Sequence, residues 1–189
     1  MRIVGGRLKG RALHGPKSDA IRPTSDRLRE SLFNILVHSY GDPLPGARVI
    51  DLFAGTGAFG LEAISRGADF CLMVDDGAQA RALIRENVEA LGLGGVTRIF
   101  RRDARKLGEA PPGPPYDLAF LDPPYGKALA EPALDALDKG FWLAPDALVI
   151  VEEAAAVELA PSPAYQTLER RDYGETQLVF LRYRPEQRA

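Results

Sequence analysis

The chain has 189 residues, 46% of them hydrophobic, with 24 basic and 26 acidic side chains and a single cysteine. That apolar content suits one sizeable core, so a single domain over residues 1–189 is expected, and no stretch approaches the roughly 18 apolar residues of a membrane span or carries an apolar leader. One cysteine excludes an intrachain disulfide framework and favours a reducing compartment, which makes the cytoplasm the expected location.

Charge is unevenly spread. Residues 1–30 hold eight basic side chains (Arg2, Arg7, Lys9, Arg11, Lys17, Arg22, Arg27, Arg29) against three acids, leaving 16 basic and 23 acidic for the remainder. Such an arm is the electrostatic footprint of phosphate contacts, although a basic segment can also be only a solvated surface. Glycines punctuate Gly5-Gly6-Arg7-Leu8-Lys9-Gly10-Arg11-Ala12-Leu13, which predicts a β-hairpin with Arg7, Lys9 and Arg11 along one face, since side chains two apart share a face. Residues 1–22 are read as a basic extension of the domain. A helix follows, with Thr24 or Ser25 as N-cap, Asp26 in its first turn, and Leu28, Leu32, Ile35 and Leu36 turned inward. Arg27 and Arg29 then lie off the buried face, where they are either solvated or set against phosphate.

Arg48 to Phe53 reads as a buried strand running into Ala54-Gly55-Thr56-Gly57-Ala58-Phe59-Gly60 and a helix-like stretch, Leu61 to Ser65. The glycines match the G-x-G-x-x-G pattern of dinucleotide sites, a weak signal by itself. Asp51 changes its meaning. A carboxylate at the carboxyl end of the strand can receive an ammonium group, and the free N–H groups of a helix start suit an anion, so a ligand bearing both an ammonium and a carboxylate fits this turn better than a pyrophosphate.

The next strand, Phe70 to Val74, carries Cys71 as a small apolar residue and ends in Asp75-Asp76; Asp75 lies 24 residues after Asp51, the placement of an acid that accepts from ribose hydroxyls. Asp103, after the strand-like Val96 to Phe100, can accept from an adenine amino group. Each acid can instead be an Asx turn or a helix cap.

Pro111 to Pro115 is a stiff spacer before the strand Tyr116 to Leu121, which runs into Asp122-Pro123-Pro124-Tyr125. Two prolines remove two backbone donors and force Asp122 out of the α region, leaving a loop of acceptors. The Asp122 carboxylate and nearby carbonyls can take both protons of an exocyclic amine while Tyr125 offers a stacking face; the alternative is a proline-stiffened turn with a packed Tyr. A helix over Glu131 to Lys139, a buried strand over Ala147 to Val151, and an antiparallel closing pair near Gln166 to Arg171 and Gln177 to Tyr183 complete the chain. Four strands each ending in an acid suit an open α/β sheet, whose ligands bind at the carboxyl ends of the strands. His14 and His38 are assigned no chemical role.

Asp51-Leu52-Phe53-Ala54-Gly55-Thr56-Gly57, Asp75, Asp103 and Asp122-Pro123-Pro124-Tyr125 resemble the ordered motifs of class I S-adenosylmethionine-dependent amino methyltransferases. Arg2-Ile3-Val4-Gly5-Gly6, Lys9-Gly10-Arg11, Arg22-Pro23-Thr24-Ser25-Asp26-Arg27 and Arg29 to Asn34 narrow the resemblance to the RsmD family, which methylates guanine N2 in bacterial 16S ribosomal RNA. The resemblance implies a Rossmann-like fold with a seven-stranded, mostly parallel sheet, helices on both faces and an antiparallel last strand. It implies S-adenosylmethionine held by Asp51, Phe53, Ala54, Gly55, Thr56, Gly57, Asp75, Asp103 and Asp122, with no metal, and catalysis by Asp122, Pro123 and Tyr125. RNA contacts fall to Arg7, Lys9, Arg11, Arg22, Arg27 and Arg29, and the partner is 16S rRNA within a small-subunit particle, engaged by a monomer away from membranes. Asp76-Gly77 departs from the family, which commonly places an apolar residue and then a polar one there. An adenine-N6 DNA methyltransferase, a dinucleotide oxidoreductase and a non-catalytic RNA-binding module stay open as alternatives.

Overall fold

The computed structural model describes residues 1–18, 21 and 24–187; Arg22, expected to contact RNA, lies outside the described residues. Strands Arg48–Leu52 (β1), Phe70–Val74 (β2), Thr97–Phe100 (β3), Tyr116–Leu121 (β4), Leu143–Ala154 (β5), Tyr165–Tyr173 (β6) and Thr176–Tyr183 (β7) accompany helices Asp26–Ser39 (α1), Ala58–Ser65 (α2), Ala78–Leu91 (α3) and Ala130–Lys139 (α4). The strands form one seven-stranded sheet in the order β3-β2-β1-β4-β5-β7-β6, with β1, β2 and β3 parallel, β4 and β5 parallel, and β7 antiparallel to both β5 and β6. Two compact units, Met1–Arg101 and Arg102–Ala189, divide the chain. No helix among the described residues is long and apolar enough to cross a membrane.

In the first unit β1, β2 and β3 pair in parallel. Val49, Ile50, Leu52, Cys71, Leu72, Met73 and Val74 are all buried, the continuous apolar run of strands covered on both faces. Every residue of α2 is buried where it packs on β1 and β2, including its two polar side chains, Glu62 and Ser65. Helix α3 is not marked in the sequence. Its buried residues Ala80, Leu83, Ile84, Asn87, Val88 and Leu91 follow helical spacing, but its N-cap, Gly77, supplies no side-chain bond, so the usual start signal is missing.

The N-terminal arm departs from the expected hairpin. Its ends do pair, with Ile3 N–H donating to Arg11 O at 2.9 Å, Gly10 N–H to Ile3 O at 2.8 Å and Leu13 N–H to Met1 O at 2.9 Å. The pairing amounts to one isolated bridge, Arg2 with Ala12, and residues 5–10 form turns, so no strand face collects Arg7, Lys9 and Arg11. The donors go to α2 instead. Val4 N–H reaches both Glu62 carboxylate oxygens at 3.0 and 3.2 Å, Arg7 N–H reaches Ser65 O at 2.9 Å, and Leu8 N–H reaches Ser65 Oγ at 3.0 Å. Gly6 has φ +74°, and a Cβ there would sit 2.0 Å from the Ser65 carbonyl oxygen, so only glycine permits this approach. With Ile3 and Leu13 also buried, the arm is a layer of the first unit's core.

Arg29 corrects the reading of α1. Ser25 is the N-cap, accepting from Leu28 N–H at 3.1 Å. The inward stripe is Arg29, Leu32, Phe33, Ile35 and Leu36, with Leu28 half-buried. Arg29 is 0% exposed and cannot serve as an RNA contact. Its guanidinium pairs with Asp26 at 3.0 Å, lies 3.9 Å from the Glu62 carboxylate and donates to the Arg2 carbonyl. Glu62 also pairs with Arg66 at 3.0 Å.

The second unit pairs β4 with β5 in parallel and places β7 between β5 and β6 in antiparallel register, which is the closing pair expected from the sequence. Tyrosines anchor it. Tyr165 donates its hydroxyl to Leu134 O at 2.6 Å and Tyr183 to Asp138 Oδ1 at 2.7 Å, tying β6 and β7 to α4. Trp142, fully buried, donates Nε1–H to Gly108 O at 2.8 Å.

Glu62 is thus the acid on which the arm, α1 and α2 converge. Removing it leaves the buried Arg29 cation paired with Asp26 alone and the Val4 N–H without its acceptor, a loss of about 1–3 kcal/mol. Glu62→Ala should lower the unfolding free energy by that amount in urea denaturation; a change under about 1 kcal/mol, the range of an exposed pair, would show that the cluster carries no weight.

Candidate active site

Asp51, the next-to-last residue of β1, is fully buried. Its Oδ2 accepts the Gly60 N–H at 3.1 Å, and its Oδ1 has no hydrogen-bond partner among the described residues. Burial pushes its carboxyl well above the ordinary carboxylate range, the Gly60 bond opposes this, and the Asp75 charge adds to it. Such an acceptor suits the ammonium that the sequence assigns to it.

The strand ends at Leu52, one residue short of expectation, because Phe53 swings to φ +56° and opens the turn. Gly57, at φ +80°, begins α2 without a side-chain cap, consistent with a helix start left for an anionic group. Gly60 has no room for a side chain: a Cβ would meet Cys71 Sγ at 2.5 Å. That proximity is what brings its N–H to Asp51.

Asp75 also meets the turn. Its Oδ2 accepts from Gly55 N–H at 3.0 Å and its Oδ1 from Gly77 N–H at 2.8 Å. Burial raises its carboxyl above the usual value, against those two bonds. Asp76 is exposed, so Asp75 is the acid built into the strand end.

Asn87 is not legible as a site residue in the sequence. Fully buried on α3, its amide donates to Thr56 O at 2.9 Å and to His14 O at 3.1 Å while Oδ1 accepts the His14 N–H at 2.6 Å. One side chain thereby links the arm's backbone to the glycine turn, and a Cβ on Gly55 would lie 3.5 Å from the Ile21 side chain. The only signal in the chain is an Asn among apolar positions of a helix.

In the second unit, Asp122 and Tyr125 are half-buried, Pro123 is buried and Pro124 exposed. The Tyr125 hydroxyl lies 2.8 Å from Glu152 Oε1 and 2.8 Å from Thr176 Oγ1, and Gly126 N–H donates to Glu153 Oε1 at 3.2 Å. Glu152, Glu153 and Thr176 are absent from the expected site, since only the fold brings β5 and β7 to this loop. Asp103 makes a local turn: it accepts the Arg105 N–H at 2.9 Å and pairs with the Arg105 guanidinium at 2.7 Å, which holds its carboxyl below the ordinary value.

Of the basic residues expected to contact RNA, Arg7, Lys9, Arg11 and Arg27 are not buried, although the Arg11 guanidinium also donates to Ala90 O at 2.8 Å. Among the described residues no group of three or more His, Cys, Asp or Glu is arranged to hold a metal ion.

The residues present fit the S-adenosylmethionine that the motifs imply: a buried carboxylate oxygen without a partner, an uncapped helix start and an acid at the second strand end. A family model described as Conserved hypothetical protein 95 matches residues 1–182. The chain is similar to ribosomal RNA small subunit methyltransferase D of Escherichia coli (strain K12), 39% identical over 171 residues, covering 90% of this chain and 83% of that protein. Among solved structures, the yhhF protein of Escherichia coli aligns with a TM-score of 0.82 at 29% identity over 98% of both chains. A protein of Thermus thermophilus aligns with a TM-score of 0.73 at 33% identity, over 95% of this chain and 98% of that one.

The Asp51 shift makes stability depend on pH. Its folded value lies above the unfolded value of about 3.9, so the charged form opposes folding; the penalty is absent below the unfolded pKa and grows as pH rises toward the folded one. Asp51→Asn keeps an oxygen for Gly60 N–H and removes the charge. Thermal denaturation should place its midpoint above the parent's at neutral pH, by roughly 2–4 °C per kcal/mol relieved, with the two converging as pH falls through about 4. A midpoint difference constant with pH would contradict the assignment.

Proposed function

The chain belongs to the Conserved hypothetical protein 95 family, that of ribosomal RNA small subunit methyltransferase D, and from that premise we propose that it methylates the exocyclic N2 amine of one guanine in 16S ribosomal RNA. It is an RNA methyltransferase. The observation that carries the finer reading is the acceptor loop Asp122-Pro123-Pro124, followed by a tyrosine whose hydroxyl is anchored. When bound, S-adenosylmethionine supplies an activated methyl group on a sulfonium.

The chain's own groups bind, orient and accept. Asp51 receives the ligand's ammonium at its unpartnered oxygen, the start of α2 faces the carboxylate, and Phe53, Ala54, Gly55, Thr56 and Gly57 shape the turn. Asp75 takes the ribose hydroxyls with the lone pairs left after Gly55 and Gly77. Asp103 is the acceptor for the adenine amine, beside its pair with Arg105.

The guanine amine is a poor nucleophile because its lone pair is delocalised into the ring. Hydrogen bonds from its two protons to the Asp122 carboxylate and the Pro123 carbonyl orient that lone pair and draw it out of conjugation. As the new bond to nitrogen forms, Asp122 can take the proton the amine sheds. Holding both reactants in line supplies most of the remaining rate enhancement. Tyr125 stacks on the base once it is splayed from its neighbours, worth about 1–3 kcal/mol. Arg7, Lys9, Arg11 and Arg27, none of them buried, carry the phosphate contacts together with Arg22.

Asp122→Ala tests the reading. Losing a charge-assisted hydrogen bond in the transition state should reduce methyl transfer to unmodified small-subunit particles by roughly tenfold to a few hundredfold. Affinity for S-adenosylmethionine, measured by calorimetry, should fall far less than turnover, because Asp122 is only one of the residues that the resemblance sets around the cofactor. Parental turnover in Asp122→Ala would sink the assignment.

A further inference from the structure

The Tyr125 side chain is held at its far end. Its hydroxyl lies 2.8 Å from Glu152 Oε1 and 2.8 Å from Thr176 Oγ1, and both partners are buried, at 5% and 6% exposure. A phenol has one proton to give. With that proton donated to Glu152 Oε1, the phenol oxygen accepts from the Thr176 hydroxyl, which gives a directional chain of Thr176 to Tyr125 to Glu152.

The two anchors stand on adjacent antiparallel strands, where Glu152 pairs with Leu178 and Ala154 with Thr176. They are therefore fixed by the sheet ladder, whereas Tyr125 follows an exposed Pro124 and opens a turn in which Gly126, Lys127 and Ala128 are exposed and Gly126 and Ala128 take φ of +69° and +52°. The neighbouring Glu153 holds the same turn through the Gly126 N–H at 3.2 Å. Consecutive glutamates thus grip one side chain and one backbone group of one loop. Packing a tyrosine needs no buried acid, and a carboxylate taken out of water opposes folding.

We propose that Glu152 and Thr176 are positioning residues for methyl transfer, which set the plane of the Tyr125 ring so that the stacked base presents its amine to Asp122. This rests on the reading of Asp122-Pro123-Pro124-Tyr125 as the amine-binding loop. The ring supplies the stacking area, and the hydroxyl chain supplies its angle. Misplacement by a fraction of an ångström weakens an in-line transfer without disturbing cofactor binding.

The test is steady-state methylation of unmodified small-subunit particles with labelled S-adenosylmethionine, alongside calorimetric cofactor affinity and thermal denaturation. Tyr125→Phe retains the ring and loses the chain; kcat/KM for particles should fall about tenfold or more with cofactor affinity unchanged. Glu152→Ala should fall similarly. Glu152→Gln, whose amide oxygen still accepts the phenol proton, should recover to within a few fold of the parent. A merely structural role would move denaturation midpoints and cofactor affinity together with activity. Parental kcat/KM in Tyr125→Phe, or Glu152→Gln as impaired as a folded Glu152→Ala, would overturn the inference; if Glu152→Ala does not fold, Thr176→Val takes its place and must lower kcat/KM as Tyr125→Phe does. Full activity in Asp122→Ala would instead overturn the reading beneath it, a result distinct from an inactive Asp122→Ala beside an unaffected Tyr125→Phe.

Discussion

Asp51 stands fully buried near the end of β1, with one oxygen on the Gly60 N–H and the other without a partner among the described residues. A carboxylate in that setting is expensive, because burial removes the water that would solvate it and one backbone bond replaces only part of what is lost. Much of the first unit's architecture makes that arrangement possible. Gly60 must lack a side chain so that α2 can approach Cys71 closely enough to offer its N–H. Phe53 accepts a left-handed conformation to end the strand at this point. In the proposed function that unsatisfied oxygen is what receives the ligand's ammonium, and stability is given up to keep it.

Two other buried acids do comparable work in their own units. Glu62 collects the arm, α1 and α2 by accepting from Val4 and facing Arg29 and Arg66. Glu152 accepts from Tyr125. In each case an acid on a regular element takes hold of a segment without regular structure. Buried charge of this kind is poor evidence of stability, and in this chain each instance coincides with a loop or arm whose geometry is fixed. The arm is a further instance. Its basic side chains Arg7 and Lys9 are exposed while its backbone is fastened to α2 and, through Asn87, to the turn at Thr56.

Most strands are legible in the sequence because apolar runs bounded by acids and glycines have few alternative readings; Phe70–Val74 and Tyr116–Leu121 match residue for residue. The acids Asp51, Asp75 and Asp122 are legible by position at strand ends. What stays hidden depends on contacts between residues distant in the chain. α3 lacks a capping side chain and carries Asn87 on its buried face, which obscures its periodicity. Arg29 reads as a surface cation because its partner Glu62 lies 33 residues away. Alternation in the arm favours strands, but the acceptors of α2 capture its N–H groups. Glu152 carries no signature at all until β5 and β7 pair.

The central claim is that an acceptor loop built for an exocyclic amine acts on guanine N2 of ribosomal RNA. Its most direct test is nucleoside analysis of small-subunit particles lacking the modification, after incubation with the protein and labelled S-adenosylmethionine. Label recovered in N2-methylguanosine from 16S rRNA is the predicted result. Label in N6-methyladenosine, or no label in RNA while DNA is methylated, would contradict it.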